Sequence, residues 1–360
     1  MNGKVDLTEV EGLADLIEAE TEAQRVQAAR QMRGELSKMY GEWRGELLRA
    51  LAMVEAVIDF ADEEEDVGEN VLDQTVPVLH SVRERVSKHL DDRRRGEILR
   101  SGARVALVGP PNAGKSSLLN AISQRPAAIV SPLAGTTRDV VETSLNIEGM
   151  PVTLSDTAGL RETNDPIERA GVERAQITAS DAILKLLVLD GDQFLKERHR
   201  HNDLNIALSI ADKDTVVVIN KIDLVVSSEI ETLRNECETF FEQNDNIVTL
   251  ISCTEEQGLD TLIDTLSREI RYRLFDQNDD EGFFDTTHPV LTRERHRKLL
   301  TQALKSLDIA IKTRDELGAV SVDIVAEELR EAVQCVGKIT GHVSVEEVLD
   351  VVFSSFCIGK

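Results

Sequence analysis

The sequence predicts an α/β domain inserted into a discontinuous all-α domain. Three observations predict it. Long amphipathic stripes occupy both ends of the chain. Short β-type runs alternate with helical stretches through the middle. A glycine-rich turn joins the first of those runs to a helix. The texture divides the chain into a first helical part at 1–97, an α/β part at 98–273 and a second helical part at 274–360.

The elements follow in order. Residues 7–20 are amphipathic and acidic, which predicts a short helix. From Thr21, apolar residues including Val26, Leu36, Tyr40, Trp43, Leu47, Leu51 and Ile58 recur at three- and four-residue steps. That stripe predicts one long helix ending near Phe60, and it reads as core rather than as a binding face. The acidic run Asp62 to Asp66 with Gly68 reads as a solvated connection. A second long helix is expected from about Val71 to Leu99, with Arg93, Arg94 and Arg95 near its end, either facing the C-terminal dipole or solvated. Strands are expected at 103–108, 141–147, 152–155, 183–189, 215–219 and 247–251. Helices are expected between them, including 166–180 and 256–272. Past Arg273 the strands cease, and helices resume at 292–316, 323–336 and 345–351.

Composition narrows the function. The 360 residues carry a formal net charge of −25, which repels nucleic acid globally. Any RNA must therefore be met by a local basic patch or through a partner. The four cysteines, Cys237, Cys253, Cys335 and Cys357, form no CxxC pair. That argues against a disulfide framework or structural zinc and fits a reducing compartment. No apolar run is long enough to cross a bilayer, and no signal peptide is evident.

The chemistry centres on Gly109-Pro110-Pro111-Asn112-Ala113-Gly114-Lys115-Ser116, which has the phosphate-loop pattern. The apolar run Ala103–Val108 precedes it and a helical run from Ser117 follows. Backbone N–H groups of Ala113, Gly114 and Lys115 to Ser117 then converge on phosphate oxygens at a helix N-terminus. Lys115 would reach the β- and γ-phosphates, and Ser116 would place its hydroxyl on Mg²⁺. Thr137, in Gly135-Thr136-Thr137-Arg138-Asp139, is the candidate for the second protein oxygen on that metal. Asp156, in Asp156-Thr157-Ala158-Gly159, would hold its outer shell, and the Gly159 N–H would sense the γ-phosphate. Asn220-Lys221-Ile222-Asp223 follows the fifth expected strand. The Asp223 carboxylate can accept from guanine N1–H and the 2-amino group, a donor pair adenine lacks. Asn220 would orient this loop and Lys221 would lie along the base. Ser252-Cys253-Thr254 ends the last strand, where a backbone N–H can meet guanine O6. Four motifs in the right order after the right strands predict a phosphate-loop GTPase with a Ras-like mixed sheet.

One absence carries information. A glutamine directly after the DxxG motif orients the attacking water in Ras-type enzymes; this chain has Leu160 there. Asn112 and the loop Ser131 to Thr136 offer an alternative, since an amide oxygen and backbone carbonyls can hold a monovalent cation against the phosphates. Glu168 then either polarises the water or serves as an ordinary first-turn helix carboxylate.

These residues resemble the MnmE (TrmE) family of tRNA-modifying GTPases. The resemblance rests on Pro111-Asn112-Ala113-Gly114-Lys115-Ser116-Ser117-Leu118, on Gly135 to Asp139, on Asp156 to Glu162 and on the tail Phe356-Cys357-Ile358-Gly359-Lys360. It covers essentially the whole chain, with Asn2-Gly3-Lys4 and Ile58-Asp59-Phe60 also fitting. It implies a G domain inserted in a helical domain and K⁺-stimulated GTP hydrolysis through G-domain homodimerisation. It also implies a flavoprotein partner of the MnmG (GidA) type and modification of carbon 5 of the wobble uridine of certain tRNAs. By resemblance, Asn112, Ser131, Leu133 and Thr136 bind K⁺, Glu168 activates the water, and Cys357 is a candidate participant in the uridine chemistry. Lys4 and Lys360 match positions near a folate one-carbon donor, whose N-terminal domain is expected to be missing because the sequence starts where the family's helical region starts. The double proline and Ser131-Pro132 lean towards the mitochondrial members; a bacterial source would make the protein cytoplasmic. An Era-like ribosome-assembly GTPase is the alternative, but it would carry a basic KH module where this tail is helical. An interaction scaffold would have degraded nucleotide motifs, and these are intact.

Overall fold

A computed structural model describes residues 5–60, 65–125, 128–130, 141–156, 182–197, 211–241, 246–275, 289–317 and 322–341. The chain divides into two compact units. One takes Met1–Ala19, Arg25–Arg100 and Phe283–Lys360; the other takes Glu20–Gln24 and Ser101–Gly282. The α/β unit thus interrupts a helical unit built from both ends of the chain.

In the helical unit, α1 spans Leu7–Glu18, α2 Glu22–Met32, α3 Glu35–Phe60, α4 Glu65–Leu90 and α5 Arg95–Ser101. Asp6 and Glu9 form a reciprocal capping box at the start of α1, each side chain accepting the other's backbone N–H at 2.8 Å. α10 (Glu294–Leu317) and α11 (Val322–Thr340) complete this unit, packing on each other and on α3 and α4. Their shared core is aliphatic, with Leu36, Leu47, Leu51, Val82, Leu307 and Leu329 fully buried. Here the apolar stripes serve as core, as their spacing predicts.

Two expected helices break where the stripes run on. The helix expected from Thr21 to Phe60 is two helices, parted at Gly34, whose φ of +81° is left-handed. A Cβ there would lie 2.7 Å from Glu9 Oε1, so the break also makes room for the α1 capping box. The helix expected over 71–99 starts earlier, at Glu65, and stops at Leu90; the acidic connection is correspondingly shorter. Arg93 and Arg94 adopt left-handed φ values of 49° and 58° between α4 and α5. The Asp92 carboxylate accepts the Arg94 N–H at 3.0 Å and pairs with Arg297 at 2.5 Å. Arg94 pairs with Glu97 and Glu294 rather than serving a helix dipole. The Arg94–Glu294 and Asp92–Arg297 pairs join residues 200 and 205 positions apart, which a local period does not register.

The α/β unit is one seven-stranded sheet of order β2-β3-β4-β1-β5-β6-β7. The strands are β1 Ala103–Val108, β2 Ala128–Val130, β3 Val141–Ile147, β4 Met150–Asp156, β5 Leu184–Asp190, β6 Thr215–Asn220 and β7 Ile247–Leu250. β1 pairs in parallel with both β4 and β5, and β6 and β7 continue in parallel; β2, β3 and β4 are antiparallel. All six residues of β6 are buried, as befits a strand covered on both faces. Six strands match the expected runs to within two residues. The short β2 was missed because three residues give no readable alternation. Helices α6 (Lys115–Ser123), α7 (Gly191–Glu197), α8 (Ile230–Phe241) and α9 (Leu259–Leu274) follow β1, β5, β6 and β7. The strand order reverses between β4 and β5, on either side of β1. In such a sheet ligands bind at the carboxyl ends of the strands beside that reversal.

Candidate nucleotide-binding site

The loops at the carboxyl ends of β1, β5, β6 and β7 hold the polar residues the sequence singles out. After Val108 the chain turns at Gly109, with φ +140°; a Cβ there would sit 2.2 Å from the Val188 carbonyl oxygen. Only glycine passes that close to the neighbouring strand. Asn112 is left-handed at φ 61° and exposed. Gly114, with φ +98°, is the N-cap of α6 and supplies no side-chain hydrogen bond to the helix. Gly114 thus leaves the α6 N-terminus, the end of a helix that suits an anion, without a capping side chain of its own. Lys115 is buried, and its ammonium donates to the Gly109 and Pro110 carbonyls at 3.0 and 2.9 Å. It folds back over the loop it belongs to, a compact cationic floor for phosphate oxygens.

The base-reading loop is tied directly to this phosphate loop. Asn220 is 1% exposed, and its amide donates to the Ala113 carbonyl at 3.0 Å. Its amide oxygen accepts the Cys253 N–H at 3.3 Å. One side chain thus links β1, β6 and β7. Asp223 is exposed, and Oδ1 accepts the hydroxyl of buried Ser252 at 2.5 Å. The same hydroxyl accepts the Glu255 N–H at 3.0 Å. The carboxylate is held from behind while its edge faces solvent, as recognition of a paired donor requires. Lys221 is left-handed at φ 63°, and its ammonium pairs with Asp190 at 2.7 Å. Cys253 is half-buried; burial, then the nearby Asp223 charge, pushes its thiol up to about 11. It is a neutral thiol at physiological pH, and its backbone N–H donates to Asn220.

These residues fit a guanine nucleotide: a buried lysine and a helix N-terminus at one end, a fixed carboxylate at the other, and a shared asparagine between them. The structure brings together Asn112, Ala113, Gly114, Lys115, Ser116, Ser117, Asn220, Lys221, Asp223, Ser252 and Cys253 around the ends of β1, β6 and β7. Asp156 closes β4, opposite Leu107 of β1. Lys4, Ser131, Leu133, Thr136, Thr137, Gly159, Glu168, Cys357 and Lys360 lie outside the described residues. Sequence reasoning missed Asp190, whose only signal was an acidic residue ending an apolar strand.

A sheet reversing at β1, a phosphate loop at that reversal and a guanine-type base loop beside it define a phosphate-loop GTPase. The MnmE helical domain model matches residues 7–357. The chain is 44% identical over 362 residues to the tRNA modification GTPase MnmE of Parvibaculum lavamentivorans, covering 100% of this chain and 74% of that one. It is 42% identical over 365 residues to a mitochondrial 5-taurinomethyluridine tRNA synthase subunit of Danio rerio, covering 99% of this chain and 70% of that one. The chain belongs to the MnmE family. Among solved structures, a variant of Aquifex aeolicus Era bound to GDP and aluminium fluoride is similar at 27% identity and a TM-score of 0.39, covering 60% of this chain and 69% of that one.

Proposed function

We propose that the protein is a K⁺-activated GTPase that modifies carbon 5 of the wobble uridine of tRNAs together with a flavoprotein of the MnmG (GidA) type. The observation that carries the reading is the Asn220 tie between a phosphate loop and a guanine-type base loop, in a chain of the MnmE family. The names of the relatives supply the tRNA. Residues 98–273 act as the G domain, and 1–97 with 274–360 as the helical domain.

Lys115 binds the β- and γ-phosphates, and Asp223 reads the guanine edge. Ser116 and Thr137 would hold Mg²⁺, with Asp156 in its outer shell and the Gly159 N–H on the γ-phosphate. Asn112, Ser131, Leu133 and Thr136 would hold K⁺ as the G domains of two copies meet. Both cations supply positive charge against the charge that develops on the phosphates. Glu168 polarises the attacking water, a role that Leu160 leaves open. Cys357 acts at the uridine. Lys4 and Lys360 lie near a folate one-carbon donor. Location follows source: mitochondrial in a eukaryote, cytoplasmic in a bacterium.

Phosphate release in KCl and NaCl tests the hydrolytic half. Much faster turnover in KCl, abolished by Asn112→Ala, supports it; equal rates in the two salts refute the cation role. Wobble-uridine nucleoside analysis tests the other half, with the flavoprotein and a folate one-carbon donor added. Unmodified tRNA under those conditions, beside normal GTP turnover, would leave a GTPase of another purpose.

A further inference from the structure

Asp190 lies outside every nucleotide motif, yet it sits at their centre. It ends β5 directly opposite Asn220 at the end of β6. Its side chain is only 14% exposed and divides its two oxygens between two tasks. Oδ1 accepts the backbone N–H groups of Asp192 and Gln193 at 3.1 and 3.2 Å, starting α7. Oδ2 accepts the Lys221 ammonium at 2.7 Å.

Lys221 is thereby fixed at both ends. Its backbone is left-handed and its carbonyl accepts the Leu224 N–H at 3.0 Å. Its ammonium is anchored on Asp190. The four methylenes between run from the base loop to the end of β5. A free lysine side chain loses much rotamer freedom when a ligand settles on it. Here that freedom is restricted before any ligand arrives, and the stem becomes a preset apolar ledge for a planar ring.

We propose that Asp190 is a positioning residue for guanine-nucleotide binding, acting through Lys221 to hold that side chain in place for the base. The inference rests on the GTPase reading. It assigns Asp190 no contact with the nucleotide.

The test uses the 360-residue chain and a fluorescent GDP analogue. Asp190→Asn keeps a side chain able to cap α7 but removes the charge that anchors the ammonium. It should weaken GDP binding about tenfold, the scale of one charge-assisted hydrogen bond in a half-buried site. IDP should weaken by the same factor, because the ledge meets the ring face rather than the 2-amino edge. Lys221→Met keeps most of the stem and removes the ammonium. In that background Asp190→Asn should have no further effect, and a merely structural role for Asp190 predicts undiminished loss there. Unchanged GDP affinity in Asp190→Asn, or an equal loss with and without Lys221, overturns the inference and leaves the GTPase reading standing. Failure of the parent chain to bind GDP overturns that reading, and the inference with it.

Discussion

The amide of Asn220 donates to the Ala113 carbonyl across the gap between β6 and the phosphate loop. The two loops are 107 residues apart in sequence, so this bond ties the phosphate loop to the base loop. Its carbonyl partner belongs to a buried residue. Asn220→Ala should therefore strand a buried acceptor and free the Cys253 N–H, costing about 1–3 kcal/mol of stability. Chemical denaturation with and without GDP would show both the loss and a smaller stabilisation by nucleotide. Unaltered GDP affinity would mean the loops work independently.

Base specificity depends on one carboxylate. Asp223→Asn turns a double acceptor into a group with donors, which no longer matches the guanine N1–H and 2-amino pair but does suit the xanthine carbonyl. The variant should lose GTP and gain xanthosine triphosphate, measured by competition against a labelled nucleotide. Normal GTP hydrolysis by this variant would remove Asp223 from base reading.

Gly114 is needed for both shape and space. At φ +98°, an added Cβ would lie 2.2 Å from Asn220 Nδ2. Asn220 is bonded and buried, so it has no room to retreat. Gly114→Ala should cost about 1–3 kcal/mol through backbone strain and abolish detectable GDP binding. Thermal unfolding and nucleotide titration together check it; a variant that binds normally would show that the loop relaxes freely.

The sequence displayed the site better than the helices around it. Phosphate and guanine recognition demand particular residues at fixed offsets, so Gly109 to Ser116 and Asn220 to Asp223 are recognisable without neighbours. Strands β1, β5 and β6 were legible for a related reason: a strand covered on both faces is a near-continuous apolar run. Helix ends were not. The breaks at Gly34 and at Arg93–Arg94 depend on Glu9, Asp92, Glu294 and Arg297, which a local period does not see. Asp190 escaped for the same reason, since its partner Lys221 lies just past the end of the adjacent strand.

The helical unit carries a pH dependence separate from the nucleotide site. His89, near the end of α4, shares a hydrogen bond between its Nε2 and the Tyr40 hydroxyl, 3.1 Å away. Its ring stands edge-on to Tyr40 and Trp43, with centroids 5.8 and 5.6 Å apart. Tyr40 is fully buried, and burial pushes its phenol above the ordinary range, so it stays a donor and needs an acceptor. Protonating His89 would take that acceptor away. Burial, then the charges of Arg297 and His296, lower its pKa from 6.5 to about 4. The unfolded chain therefore takes up this proton first. The contribution is fully present above pH 6.5 and is lost as pH falls through the window down to about 4. The most that can be lost is about 3 kcal/mol, and roughly 2 kcal/mol should be gone at pH 5. His89→Gln keeps an acceptor for Tyr40 and cannot take the proton, so its stability should fall less between pH 7 and 5 by about that amount. Trp43 is the chain's one tryptophan and packs against His89, so its fluorescence in urea titrations reports this unit. Equal acid sensitivity in the parent and the variant would assign the loss to other groups, such as the Glu11 carboxylate, whose pKa its hydrogen bond to His296 helps to lower.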